Sequence, residues 1–152
     1  MNISALEKKD YAAFRLLFAA YYEELDCEDD PLHLLDEYII PDYEEGLLHI
    51  AVSDDGQRLT AFIIYQTDDP VNDWCFKDGC GDIREIYVLK EERRKGTGSA
   101  LVKFAEDGLE AEGASGIYTL PTEDAEAFFM SLGYSDCGEY CEELDNKVFM
   151  KS

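Results

Sequence analysis

The stretch Ile83-Arg84-Glu85-Ile86-Tyr87-Val88-Leu89, followed by Lys90-Glu91-Glu92 and then Arg93-Arg94-Lys95-Gly96-Thr97-Gly98-Ser99, decides the fold. Its first seven residues form a β-branched and apolar run that reads as a strand. Leu101, Phe104, Ala105 and Leu109 then recur at three- and four-residue spacings, which predicts a helix from Gly96 to Glu112 stopped by Gly113. Strand, glycine turn and helix are therefore consecutive. Downstream, Gly116 to Leu120 is a second apolar run. A helix from about Glu123 to Leu132 follows, capped by Thr122 and ended by Gly133. A βαβα order emerges, and Tyr134 to Cys141 with Lys147 to Met150 reads as a closing antiparallel pair.

Upstream, Phe14, Leu17, Phe18, Tyr21, Tyr22 and Leu25 place an apolar stripe on a helix spanning Asp10 to Leu25, with Asp10 as its cap. Pro31 suits a first helical position, and a second stripe of Leu32, Leu35, Tyr38 and Ile39 is expected to stop near Pro41. Leu47 to Val52 and Leu59 to Gln66, separated by Asp54-Asp55-Gly56, read as a hairpin. The polar loop from Thr67 to Gly81 carries Trp74 and Phe76 among carboxylates. It reads equally as a recognition loop or as a surface insertion whose aromatics fold back onto the core. The expected fold class is α/β with a mixed sheet, in a single domain over residues 1–152.

Thirteen basic residues against 35 acidic ones give a net charge of −22, a field that repels nucleic acid and anionic membranes. An apolar fraction of 46% is enough to bury a core, and no run approaches the ~18 apolar residues of a bilayer span. The five cysteines are odd in number and no secretory leader is evident, so a reducing cytoplasm is expected rather than a disulfide framework. Cys75 and Cys80 are five apart and Cys137 and Cys141 four apart. Neither spacing gives the two-residue gap of a zinc knuckle, so no metal site is expected.

Within this acidic chain, Lys90, Arg93, Arg94 and Lys95 fall within six positions. That concentration sits where a strand passes to a helix N-terminus, whose unpaired N–H groups and dipole favour anions. Gly96 and Gly98 let phosphate approach the backbone, while Thr97 and Ser99 add hydroxyl donors. A P-loop is excluded because four residues do not separate the glycines. A dinucleotide fingerprint is excluded because Leu101 stands where its third glycine belongs.

The segment Arg93-Arg94-Lys95-Gly96-Thr97-Gly98 resembles motif A of the GNAT superfamily of N-acetyltransferases, and Ala125-Glu126-Ala127-Phe128-Phe129-Met130-Ser131-Leu132-Gly133-Tyr134 resembles that family's later element. With the matching order of elements, the resemblance covers nearly the whole chain. It implies acetyl-CoA as co-substrate, with Arg93 to Ser99 on its phosphates. It also implies Tyr87 and Val88 beside its pantetheine arm, and Thr122 and Phe129 near the cofactor. The strand from Gly116 to Leu120 would splay away to admit it, in a mostly antiparallel sheet. The implied reaction is direct transfer of an acetyl group to a primary amine, expected from the acidic charge to be a cationic small molecule or peptide amine, a homodimer being left open.

Such a reaction needs a base for the acceptor ammonium. Glu85 is the first candidate and Asp82 the second, and a regular pleat would point them to opposite faces unless a bulge intervenes. The family's usual tyrosine acid is replaced by Phe129, which leaves Tyr134, Tyr118 or Tyr140 as substitutes. The same replacement motivates an alternative function, a non-catalytic acyl-CoA-binding sensor or regulatory module.

Overall fold

A computed structural model describes residues 1–152. Seven strands, β1 (Asn2–Ala5), β2 (His49–Asp54), β3 (Leu59–Thr67), β4 (Gly81–Val88), β5 (Ile117–Thr119), β6 (Tyr134–Cys141) and β7 (Asn146–Lys151), form one sheet in the order β1-β2-β3-β4-β5-β7-β6. Every neighbouring pair is antiparallel except β4 and β5. The helices are α1 (Tyr11–Glu24), α2 (Pro31–Leu34), α3 (Ile40–Glu44), α4 (Thr97–Ala111) and α5 (Glu123–Ser131).

Two cores occupy the two faces of the sheet. On one, Leu101, Val102, Ala105 and Leu109 of α4 and Phe129 of α5 pack on Ala61, Ile63 and Ile83. On the other, Phe14, Leu17 and Phe18 of α1 pack with Leu35 and Ile39 on Phe62, Ile64 and Tyr87. The stripe of Phe14, Leu17 and Phe18 thus does what its spacing predicts, with Phe14 and Phe18 fully buried.

Several expectations are corrected. Asp10 and Thr122 hold N-cap positions, but neither side chain makes a capping hydrogen bond. The second helical segment does not stop at Pro41. A π-turn over Leu35–Ile39 joins α2 to α3, and Ile40 N–H reaches back to Leu35 O, so the carbonyl ladder is already out of step when Pro41 arrives without a donor. The short strand β1 was not expected at all.

The irregularity that matters most lies in β4. Its register with β3 pairs Glu85 with Ile64 but Ile83 with Tyr65, leaving Arg84 as an extra residue. Asp82 lies opposite Gln66, and Ile64 and Gln66 share one face of β3, so the bulge puts Asp82 and Glu85 on the same face, toward α1. β4 and β5 pair only at Gly81–Ile83 with Ile117–Thr119 and then diverge.

Candidate active site

The divergence opens a cavity of about 890 Å³ whose wall runs from the loop before α4, along β4, to the face beneath α1. At the loop end the backbone is wound for anions. Arg94 and Gly96 both adopt positive φ, at 64° and 84°. The first internal bond of α4 is Ala100 N–H to Gly96 O at 3.0 Å, and the N–H groups of Arg94 to Ser99 have no acceptor in the protein. Successive free donors in a left-handed turn at a helix start form an anion nest. A Cβ at Gly98 would lie 3.2 Å from the Phe128 ring, so glycine here also lets α5 close against the loop.

Arg93, Arg94, Gly96, Thr97, Gly98 and Ser99 line the cavity, whereas Lys95 turns aside and pairs with Glu92 at 2.6 Å. Arg93 reaches back over β4: its Nε donates to Val88 O at 2.9 Å and its Nη2 to Glu24 Oε1 at 2.6 Å. Thr122 and Phe129 border the cavity from the α5 side.

The ladder geometry separates Tyr87 from Val88. Leu89 N–H donates to Thr60 O, which makes 60/89, 62/87 and 64/85 the hydrogen-bonded pairs and turns the backbone groups of Ile86 and Val88 toward the gap beside β5. Val88 therefore presents its amide to the cavity, whereas the Tyr87 amide belongs to the β3 ladder. The Tyr87 side chain lies on the α1 face, opposite Phe62, with the Arg93 guanidinium 5.6 Å from its ring centroid.

At the far end, Glu85 is partly exposed to the cavity and accepts a hydrogen bond from the Tyr21 hydroxyl. Burial pushes the Glu85 carboxyl up, while the Tyr21 hydrogen bond and the Arg84 charge pull it back. Asp82 is only 2% exposed and accepts from Trp74 Nε1 at 3.1 Å. Burial, and then the charge of Asp68, push Asp82 up to about 8, so it carries a proton at neutral pH.

Trp74 brings the polar loop into the cavity wall. Asp68 is 1% exposed and accepts from the N–H groups of Phe76 and Lys77 and from Tyr118, tying that loop to the sheet. Phe76 folds back toward Tyr118, as an insertion packed on the core would, while Trp74 faces the cavity.

Tyr134 is not brought to this place. It is buried beneath Phe129, and its hydroxyl donates to Glu106 at 2.7 Å. Tyr118 bonds to Asp68 and the exposed Tyr140 to Asp145, so neither substitute reaches the cavity. The residue missed by sequence reading is Tyr21, because its place in an apolar stripe marks it as core and gives no sign of its hydroxyl.

Residues 11–134 match the model of the acetyltransferase (GNAT) family. An uncharacterised N-acetyltransferase of Bacillus subtilis (strain 168) is 34% identical over 74 residues. That segment is 47% of this chain and 53% of the relative, so the match spans about half the relative's length. An acetyltransferase of the GNAT family from Staphylococcus aureus Mu50 superposes with a TM-score of 0.76 at 16% identity, covering 99% of this chain and 97% of its own. The PaiA N-acetyltransferase of Thermoplasma acidophilum, solved in complex with coenzyme A, gives 0.73 at 15% identity, covering 99% and 98%. No helix is long and apolar enough to cross a membrane. With the family model spanning most of its length, and with the splayed β4–β5 pair and the nest before α4 in place, the chain belongs to the acetyltransferase (GNAT) family.

Proposed function

We propose that the protein transfers an acetyl group from acetyl-CoA to a primary amine, with a cationic small molecule or peptide amine as acceptor. The observation that carries this reading is the single cavity joining the amide nest of Arg94 to Ser99 with the carboxylate of Glu85. The nest, with Arg93 and Arg94 beside it, suits a pyrophosphate. The gap-facing amides of Ile86 and Val88 suit an extended amide-bearing arm, which would complete the ladder that β5 abandons. The Val88 N–H is then the donor for charge developing on a thioester carbonyl oxygen, and Glu85 takes the proton that the acceptor ammonium must lose before it attacks. Glu85 suits that role better than Asp82, which is almost wholly buried and protonated at neutrality.

The acceptor class is supported by the carboxylates along the wall, Glu24, Glu85 and Asp124, in a protein of net charge −22. The absence of a hydroxyl at Phe129 supports the alternative of a non-catalytic acyl-CoA sensor. Calorimetry with acetyl-CoA followed by thiol release over spermidine, kanamycin and a lysine peptide separates the two. Binding with no release for any amine would favour the sensor. Under the catalytic reading, Glu85→Gln lowers turnover at pH 7 by about 10²-fold or more while leaving acetyl-CoA affinity near wild type. An unchanged rate would remove Glu85 as the base.

A further inference from the structure

Ten tyrosines occur in the chain, and two of them, Tyr21 and Tyr87, line the cavity. Tyr21 donates its hydroxyl proton to Glu85 Oε2 across 64 residues of sequence. The ring that carries this hydroxyl is held on several sides. Phe18 and Tyr22 of α1 lie at centroid distances of 6.1 and 5.6 Å, Phe62 of β3 at 5.6 Å and Tyr87 of β4 at 5.4 Å. Edge and tilted contacts from three elements leave the phenol little freedom to swing away.

We propose that Tyr21 is a positioning residue for Glu85, delivering from α1 the hydrogen bond that fixes the carboxylate in the orientation and charge state an acceptor ammonium requires. The proposal rests on the reading of Glu85 as the base.

Two opposing influences make the contact decisive. A carboxylate in a cavity wall is driven toward its neutral form, which is too weak a base to take a proton from an ammonium. The Tyr21 bond, followed by the Arg84 charge, opposes that drive. The Arg84 guanidinium is itself shared, since its Nη1 donates to Gln66 Oε1 at 3.0 Å. Tyr21 keeps its own proton, because burial and the adjacent Glu85 charge push its ionisation above the ordinary tyrosine range. It therefore remains a donor throughout the pH range in which Glu85 titrates.

The other ionisable groups facing Glu85 act more weakly. From α1 they are Tyr22 and Glu24, and from β4 itself Asp82, Arg84 and Tyr87. Across the cavity stand Arg93 and Arg94 of the loop and Asp124 of α5. None of these has a hydrogen bond to the Glu85 carboxylate, so the Tyr21 contribution can be removed by itself.

The test is a carboxyl-carbon NMR titration of the full chain labelled with ¹³C-glutamate, with Glu85→Gln identifying the resonance. Tyr21→Phe keeps the ring and removes the hydroxyl, and it is expected to move the Glu85 midpoint upward by about one pH unit or more. Tyr22→Phe, which removes a nearby hydroxyl outside the bond, leaves the midpoint in place. An unmoved midpoint in Tyr21→Phe overturns the proposal. Should that variant fail to fold, 3-fluorotyrosine placed at position 21 supplies the same shape with a stronger donor, and the midpoint must then fall; no movement again overturns it. The two readings fail separately. A midpoint that responds to position 21 while Glu85→Gln retains full turnover removes Glu85 as base but leaves the pair. A dead Glu85→Gln with an unresponsive midpoint does the reverse.

Discussion

A buried carboxyl that holds its proton to about pH 8 gives Asp82 a thermodynamic signature of its own. In the unfolded chain an aspartate loses its proton near 3.9, so between roughly pH 4 and 8 the folded state binds the extra proton and stability falls as pH rises. Asp42, raised to about 6 chiefly by burial and by its hydrogen bond with Asp73, adds a fall of the same sign in a narrower window. The melting temperature of the wild type should therefore decline from pH 5 to pH 9. Asp82→Asn keeps an acceptor for Trp74 Nε1 while removing the ionisation. Calorimetric melts of this variant should show a flatter decline and a higher melting temperature than wild type at pH 9. If the two curves run parallel, Asp82 is not the buried acid that its surroundings require.

At the scale of the element, the bulge at Arg84 governs which side chains share a face. Deleting Arg84 closes the bulge and leaves Ile83 opposite Tyr65 and Asp82 opposite Gln66, each on the face it already holds. The expected cost is about 1–3 kcal/mol, from the lost Arg84 hydrogen bond to the buried Gln66 Oε1, and it should appear as a drop in urea midpoint. This element also marks where sequence reading stopped. Alternation and apolar spacing made β4, α4, β5, α5 and the final hairpin visible to within a few residues, because each buries one face against the sheet. The glycine loop was legible for a different reason, since four cations cluster there in an otherwise acidic chain. The face of Glu85 relative to Asp82 was not legible, because one unpaired residue reverses it and no residue type announces a bulge. Tyr21 escaped notice because its ring satisfies the helical stripe while its hydroxyl serves a strand far away in sequence. Tyr134 lies apart from the cavity, held beneath Phe129 by Glu106 and Lys151, and no spacing in the sequence announces those two contacts.

For the whole molecule, the sheet is joined across β4 and β5 by three residue pairs, while β3 and β4 share seven. A ligand seated in the gap touches both halves and stabilises them as one unit. At acetyl-CoA concentrations about 100-fold above its dissociation constant, linkage adds about 2.7 kcal/mol. For a chain of this length that corresponds to a rise of about 5–10 °C in melting temperature, measurable by scanning fluorimetry. A shift below about 1 °C at millimolar ligand would speak against the cavity as the cofactor site. The same gap gives the protein something sheets rarely possess safely. Unpaired strand edges at the perimeter of a sheet invite other chains to add to them and so promote aggregation. Here the unpaired edge of β4 lies in the middle of the sheet, flanked by α5 and the loop before α4, in a slot rather than on a border. A thin, amide-bearing chain can join it by strand addition while the edge of another folded protein cannot reach it, so the fold keeps the adhesiveness of a β-edge and excludes its usual hazard.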